Sequence, residues 1–541
     1  MLRHLEREDR IKLPKNAPQG TVYKWKALAP TAMGMFMATM DASITNIAFP
    51  ILIEALHTDL PTVVWVTLAF TLVGTSSMLV LGKLGDQTGR KTIYSIGMCI
   101  FTAGMGACAI AQTIGQLLLF RVVQAIGAAM TISTSTAIVA EAFPAKETGR
   151  GIGFLGMAVS LGFITGPVLG GLLLTWLDWR ALFYTRVPLG VLTCVMSFAL
   201  LRKDAVQERK NRVDTAGALL SSFGLFSLIL GVSQIKTLEA ISLLVCLLVG
   251  LGLLSLTLFM FHERQAPDPI VDISLFKNPV FSTATGSLFL IFVSAPPFIL
   301  TIPFYLMEGI GLSPSSAGVL IAVNSMTTIV SGPVSGSLSD RFGSFWFSVL
   351  GVAMMTIAFL VMLGFHLDTG MATIIFSLIG LGIGIGLFNP SNNSIVMGSV
   401  TRDRLGMASA LIGTLRQVGL SLGTAIAGAT FSARLAVHKT HLMEEGLQGK
   451  DLDRHSIPPA FHDVLLISIV LGVLVIGVSV WARVKYQSRL KPSQRDSGWR
   501  SRSSNSGDVQ EQSPKEEKVP DDVAHPVRED EKKPGHQESG P

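Results

Sequence analysis

The sequence of 541 residues is short of charge, and the shortage is uneven. Asp, Glu, Lys and Arg make up 15% of it, where a soluble domain carries about 25%. Of the 80 charges, 10 fall in residues 1–26 and 23 in residues 483–541, leaving 47 for the 456 residues between. A stretch that poor in charge cannot form a water-facing surface, which excludes a soluble globular protein and a nucleic-acid-binding one. Cysteine is scarce as well. Cys99, Cys108, Cys194 and Cys246 all lie inside apolar runs, which excludes a secreted disulfide framework and makes each a small buried hydrophobe by expectation. No histidine sits at metal-ligand spacing with a cysteine, and no nucleophile–base set is visible, so neither an enzyme nor a metal or cofactor is expected. A cleavable signal peptide is also missing. The first 26 residues hold seven Lys/Arg and no apolar segment, so the first span must direct its own insertion.

What the chain has in abundance is apolar runs of spanning length, about 20 residues each. They fall near 27–53, 61–82, 92–112, 115–140, 151–175, 181–201, 215–235 and 239–261, then near 280–306, 313–337, 345–366, 371–399, 405–433 and 463–484. That makes fourteen. Helices are expected, because backbone groups in lipid must bond within the segment and these runs lack the alternation of barrel strands. Basic residues gather in the N-terminal segment and in the loops after even-numbered spans, among them Lys83, Arg90, Lys91, Lys146, Arg150, Lys203, Arg209, Arg264, Arg341, Arg402 and Arg404. By the positive-inside rule both termini then face the cytoplasm of a cell whose plasma membrane holds the chain. Arg180 and Arg186, after the fifth span, run against the pattern, as do four basic residues in the loop 434–462. The tail from about Ser493, rich in Ser, Pro, Glu, Lys and Asp, is expected to be disordered.

One motif occurs twice. Gly82-Lys-Leu-Gly-Asp86-Gln-Thr-Gly89 follows the second span, and Gly336-Ser-Leu-Ser-Asp340-Arg341-Phe-Gly343 follows the tenth, with the same G-x-L-x-D-x-x-G spacing. A duplicated six-helix half explains both copies, since parallel repeats are a known transporter design. The expected organisation is an N-terminal segment 1–26, a six-helix bundle 27–201, two inserted helices 202–262, a linker 263–279, a second six-helix bundle 280–484 and a tail 485–541. In the first copy the glycines allow a tight turn, while Arg90 and Lys91 face headgroups or a nearby acid, with Glu141 the expected partner of Arg90. Such a cluster suits a group that stabilises one of two conformations.

The sharpest signal is Asp41, near the middle of span 1 in Asp41-Ala-Ser-Ile-Thr-Asn46-Ile-Ala-Phe-Pro50. A charge at that depth costs about 2.5–3.5 kcal/mol even on lenient insertion scales and normally marks function. Arg121, about two turns into span 4 in Arg121-Val-Val-Gln124, is the cation at the nearest depth. The bland alternative is a static Asp41–Arg121 or Asp41–Asn46 contact that only fixes packing. Span 5 carries Gly162, Gly166-Pro167 and Gly170-Gly171, a pattern for close packing around a kink. Span 12 has four alternating glycines before Asn389-Pro-Ser-Asn392-Asn393, and Arg416 lies mid-span in span 13, where it needs water, an acid or an anion.

Together these residues resemble the major facilitator superfamily, and specifically its fourteen-span drug:proton antiporter subgroup, over about residues 27–484. The loop motif is matched by Gly82, Leu84, Asp86, Gly89, Arg90 and Lys91; the span-5 antiporter motif by Gly162, Gly166, Pro167, Gly170 and Gly171. The span-4 basic motif is matched by Arg121, Gln124 and Gly127, and the span-1 signature by Asp41, Asn46, Ala48 and Pro50. The resemblance implies an all-α polytopic membrane protein of two six-helix bundles plus two inserted helices, with export of an organic substrate against inward proton movement by alternating access. Asp41 and Arg121 would couple the proton. A central cavity would be lined by Asn46, Trp65, Phe70, Gln124, Asn324, Met326, Asn389, Asn392 and Arg416, and the substrate would be amphipathic and often cationic. The partners implied are a small molecule, protons and the bilayer, with no nucleic acid, and the chain is expected to act as a monomer. Gln87, Ala125, Phe70, Arg186 and Ser344 depart from the usual residues; Arg186 stands where Asn is common. Two other functions stay open: one specific metabolite, anionic and recognised by Arg416, or a transport-dead receptor or scaffold using the tail.

Overall fold

A computed structural model describes residues 21–144, 147–202, 214–234, 242–265, 273–401 and 405–489. Residues 1–20, the tail from 490, and the loop cations Lys146, Lys203, Arg209, Arg402 and Arg404 lie outside the described residues. The first half comprises α1 Thr21–Ile47, α2 Phe49–Ala55, α3 Leu60–Thr88, α4 Arg90–Ala109, α5 Ile114–Ala142, α6 Thr148–Trp176, α7 Ala181–Tyr184 and α8 Val187–Leu200. The inserted pair is α9 Thr215–Ser233 and α10 Leu243–Glu263. The second half comprises α11 Pro279–Phe304, α12 Pro314–Phe342, α13 Ser344–Met362, α14 Met371–Gly398, α15 Leu405–Glu444 and α16 Gly449–Arg489. Thirteen of the described helices are long and apolar enough to cross a membrane, and the bent α1–α2 pair raises the total to the expected fourteen.

Polar side chains start many of these helices by accepting from free N–H groups of the first turn. Asp59 accepts from Thr62, Thr113 from Gln116 and Ser313 from Ser316. The two copies of the repeated motif end alike. Gly89 and Gly343 have φ of 106° and 95°, a conformation open in practice only to glycine, and each turns one helix directly into the next.

Three expectations needed correction. Span 1 is not one straight helix: it breaks at Ala48 with a bend of 63°. Pro50 supplies no N–H for the carbonyl four residues earlier, so the ladder stops there. The loop expected over 434–462 is mostly helix, because α15 and α16 run on for 40 and 41 residues. At a rise of about 1.5 Å per residue each is close to 60 Å long, about twice the hydrocarbon thickness. Their extensions are tied by Arg434 to Asp463 at 2.6 Å, His438 to Asp463 at 2.7 Å and Lys439 to Asp453 at 2.5 Å. Finally, Cys99 on α4 and Cys194 on α8 are joined as a disulfide rather than standing apart.

The inserted pair packs across the boundary between the halves. Leu68 and Leu72 of α3, Ile229 of α9 and Ala425 of α15 form one buried apolar cluster, with Trp65 and Val232 against it. Ser222 of α9 donates to the Ser76 carbonyl of α3. At the other end of α9, burial pushes the Asp214 carboxyl up, but the Gly217 N–H at 2.9 Å and the His262 ring at 2.7 Å outweigh it. These contacts hold Asp214 below the ordinary aspartate value.

Candidate functional site

The Asp41 side chain is completely buried, where α1, α3, α5 and the α7–α8 junction meet. Its carboxylate accepts from three side chains. Arg121 Nη1 lies 2.5 Å from one oxygen, and Arg186 Nη1 at 2.8 Å and Gln124 Nε2 at 3.0 Å share the other. Arg121 is also fully enclosed, and every arm of its fork is used. Nε donates to the Val66 carbonyl at 3.0 Å, Nη1 also to Gln124 Oε1 at 2.8 Å, and Nη2 to Thr45 Oγ1 at 3.3 Å. The Phe70 ring sits 4.5 Å from its guanidinium carbon, a favourable cation–π distance. Gln124 and Arg121 lie three positions apart on α5, which puts them on one helix face. Charge-assisted bonds of this kind are about twice as strong as neutral ones, and a carboxylate saturated with them is held rigidly.

The Asp41–Arg121 pair and the nearby Gln124 and Phe70 were readable from the sequence. Arg186 was not, although it gave two signals: it ran against the positive-inside pattern, and it replaced a usual Asn. It lies at the start of α8, 2% exposed, with Nε on the Leu182 carbonyl and Nη2 buried without a partner. The centre therefore holds two guanidiniums against one carboxylate.

The remaining cavity residues scatter. Asn46 accepts from Thr67 Oγ1 at 3.1 Å and bonds its own helix through Ala42. Trp65 packs in the α3–α9–α15 cluster. Asn392 is corrected from a cavity residue to a helix–helix contact: it is 1% exposed and donates to the Ala284 carbonyl of α11 at 3.1 Å. Met326 is exposed, while Asn324 and Asn389 each keep a buried amide oxygen with no partner. Arg416 has a buried Nε without a partner and stacks 5.0 Å from the Phe292 ring.

The motif residues form two further groups. At the loop-motif end, Arg90 bridges Asp86 at 2.8 Å and Glu141 at 3.2 Å, tying the α3–α4 turn to α5 as expected. Lys91 departs from expectation, donating to the Phe198 and Leu201 carbonyls where α8 ends. Lys24 pairs with Glu147, and its ammonium holds that carboxyl below the usual range. Gly82 lies in contact range of Ser133, Arg341 is exposed, and the Asp340 side chain lies outside the described ones.

The span-5 glycines make close contacts on two sides. A Cβ at Gly162, Gly166 or Gly170 would collide with Phe36, Ser43 or Ile44 of α1. One at Gly171 would strike the Pro314 carbonyl of α12, and one at Gly318 of α12 would strike the Pro167 carbonyl. The Ser315 N–H donates to Thr175 Oγ1 across the same seam at 3.1 Å. Val64 against Gly428 and the Phe49 ring 6.4 Å from Phe304 add contacts between the halves at this end. The halves thus meet tightly at the end opposite the loop motifs.

Comparison with known proteins agrees with this architecture. The family model described as Major Facilitator Superfamily matches residues 31–424. The riboflavin transporter RibZ of Clostridioides difficile is 31% identical over 77% of this chain and 90% of its own length. The multidrug resistance protein Stp of Mycobacterium tuberculosis is 30% identical over 76% of each chain. Among solved structures, a bacterial homologue of the human lysosomal transporter Spinster, inward-facing and unoccupied, superposes with a TM-score of 0.63 at 17% identity. That match covers 87% of this chain and all of the other.

Proposed function

The chain belongs to the Major Facilitator Superfamily, and from that premise we propose that it exports amphipathic organic compounds in exchange for protons. It is an integral membrane transporter and not an enzyme. The observation that carries the proton reading is the Asp41 centre. A carboxylate that is alone at mid-depth among the described residues holds α1, α5 and the start of α8 together through two guanidiniums and an amide. Adding a proton to Asp41 removes the charge that both arginines bind, so the bonds joining three helices weaken in one step. Proton arrival is thereby converted into freedom for those helices to shift.

With both termini cytoplasmic, as the loop cations favour, the tight α6–α12 seam lies at the outer face and the conformation is inward-facing. The Arg90–Asp86–Glu141 group then sits at the inner face, where it stiffens the first bundle as a body that can rock. The two six-helix bundles within 27–201 and 280–484 would be the moving parts, acting in a monomer within the plasma membrane. Relatives named as multidrug resistance proteins support an exporter, and a riboflavin transporter among them leaves room for a single metabolite.

The test is transport into or out of proteoliposomes driven by an imposed pH gradient, comparing the natural chain with Asp41→Asn. Gradient-driven flux should collapse in the variant and vanish for both on adding an uncoupler. Full flux by Asp41→Asn at equal reconstitution removes Asp41 from the coupling role.

A further inference from the structure

Charge in the buried middle of the bundle does not balance. Among the described residues, that region holds one carboxylate, Asp41, and three guanidiniums, Arg121, Arg186 and Arg416. Lysine could relieve such an excess by losing its proton, but arginine stays charged at any ordinary pH. Asp41 neutralises one of the three, and the excess is marked by two unsatisfied donors, Arg186 Nη2 and Arg416 Nε. Aromatic faces offset part of it, Phe183 at 5.7 Å from Arg186 and Phe292 at 5.0 Å from Arg416, but a ring face gives no full bond. No acidic side chain among the described residues pairs with Arg416. An uncompensated cation in this setting calls for an anion.

We propose that the substrate carries an acidic group on an apolar body, and that Arg416 is its counter-ion. Arg416 is the reachable one of the two surplus cations, because it is partly exposed while Arg186 is closed off at 2%. Phe292 beside it offers an apolar wall for the rest of the molecule. Arg186 acts at a distance, keeping the first bundle's share of the interior positive and so opposing a cationic guest. A carboxylate, sulfonate or phosphate monoester meets these demands, whereas a quaternary or protonated amine would add to the imbalance. The inference deepens the exporter reading and rests on it only for the direction of transport.

The test uses two dyes sharing a xanthene body, anionic fluorescein and cationic rhodamine 123, with inorganic phosphate as a control for a small counter-ion. Binding to the purified full chain is read first from the shift of its unfolding temperature in detergent. Fluorescein should raise that temperature more than rhodamine 123 or phosphate. Arg416→Gln should weaken fluorescein binding about tenfold or more, as loss of one partner of a buried charge pair does. Arg416→Lys should restore part of it. A preference for rhodamine 123, an equal response to phosphate, or no difference between the natural chain and Arg416→Gln overturns the proposal. The natural chain's preference between the dyes decides the matter even if Arg416→Gln misfolds. Flux of fluorescein in proteoliposomes under a pH gradient separates the two readings. If fluorescein binds as expected but the gradient does not move it, proton exchange falls and the acidic substrate class stands.

Discussion

Removing Asp41 should destabilise the protein, and removing Arg186 as well should give part of that stability back. In Asp41→Asn two buried guanidiniums face each other with no anion between them. Breaking a buried pair from one side costs about 3–5 kcal/mol, because it strands the partner's charge. The Arg186–Asp41 bond is 2.8 Å long, and opposite charges about 4 Å apart at an effective dielectric constant near 20 attract by about 4 kcal/mol. Arg186 is also repelled by Arg121, bonded to the same carboxylate, but that repulsion cancels in a double-mutant cycle on Asp41 and Arg186, so the coupling should be the pair's own value, about 4 kcal/mol. The assay is a double-mutant cycle of Asp41→Asn, Arg186→Met and the double variant, each unfolded by SDS titration from the same mild detergent. The double variant should be more stable than the sum of the single losses predicts by about 4 kcal/mol. A coupling below about 0.5 kcal/mol, the ordinary error of additivity, refutes the argument that the two side chains share one charge centre.

Three further outcomes follow from other parts of the molecule. Gly318→Val should cut transport at least about tenfold by holding α12 off the Pro167 carbonyl, since an overpacked contact costs about 1–3 kcal/mol; labelling of a cysteine placed at Ser315 should rise in parallel, and unchanged labelling would show that the seam does not close there. Asp214 is held below its ordinary value, so its contribution to stability is complete above about pH 4 and is lost as pH falls through its lower folded value. Asp214→Asn should therefore lower the unfolding midpoint at neutral pH and flatten its fall between about pH 5 and 3 relative to the natural chain. Glu141→Gln should leave Arg90 on Asp86 alone and cost no more than about 1 kcal/mol in thermal stability, as expected of an exposed pair.

The sequence made some of this legible for a simple reason. A charge in lipid must have a partner, so Asp41 and Arg121 at matching depth could be paired on paper, and Arg90 with Glu141 likewise. Arg186 escaped because its place depends on how span 6 begins. Its side chain leaves from a two-residue interruption of the span-6 helix at Thr185 and Arg186, and no periodicity marks that point. The break at Ala48 was written in Pro50, yet a proline alone does not say whether a helix kinks or stops; Pro30 and Pro167 sit inside unbroken helices. Asn392 and Asn389 looked alike in sequence, and only helix packing sends one to the Ala284 carbonyl and leaves the other's oxygen unbonded.

The cluster of Leu68, Leu72, Ile229 and Ala425 has a mechanical meaning. Halves that trade places through alternating access must separate along two lateral seams, α6 with α12 and α3 with α15. At the second seam α9 is seated against both halves, with Thr75 Oγ1 and Ser421 Oγ 2.7 Å apart beside it. Parting the helices there means exposing an apolar cluster that α9 fills, whereas the α6–α12 seam has no such filler in its glycine contacts. In the proposed export cycle, the α3–α9–α15 side is therefore the one where parting would uncover apolar surface.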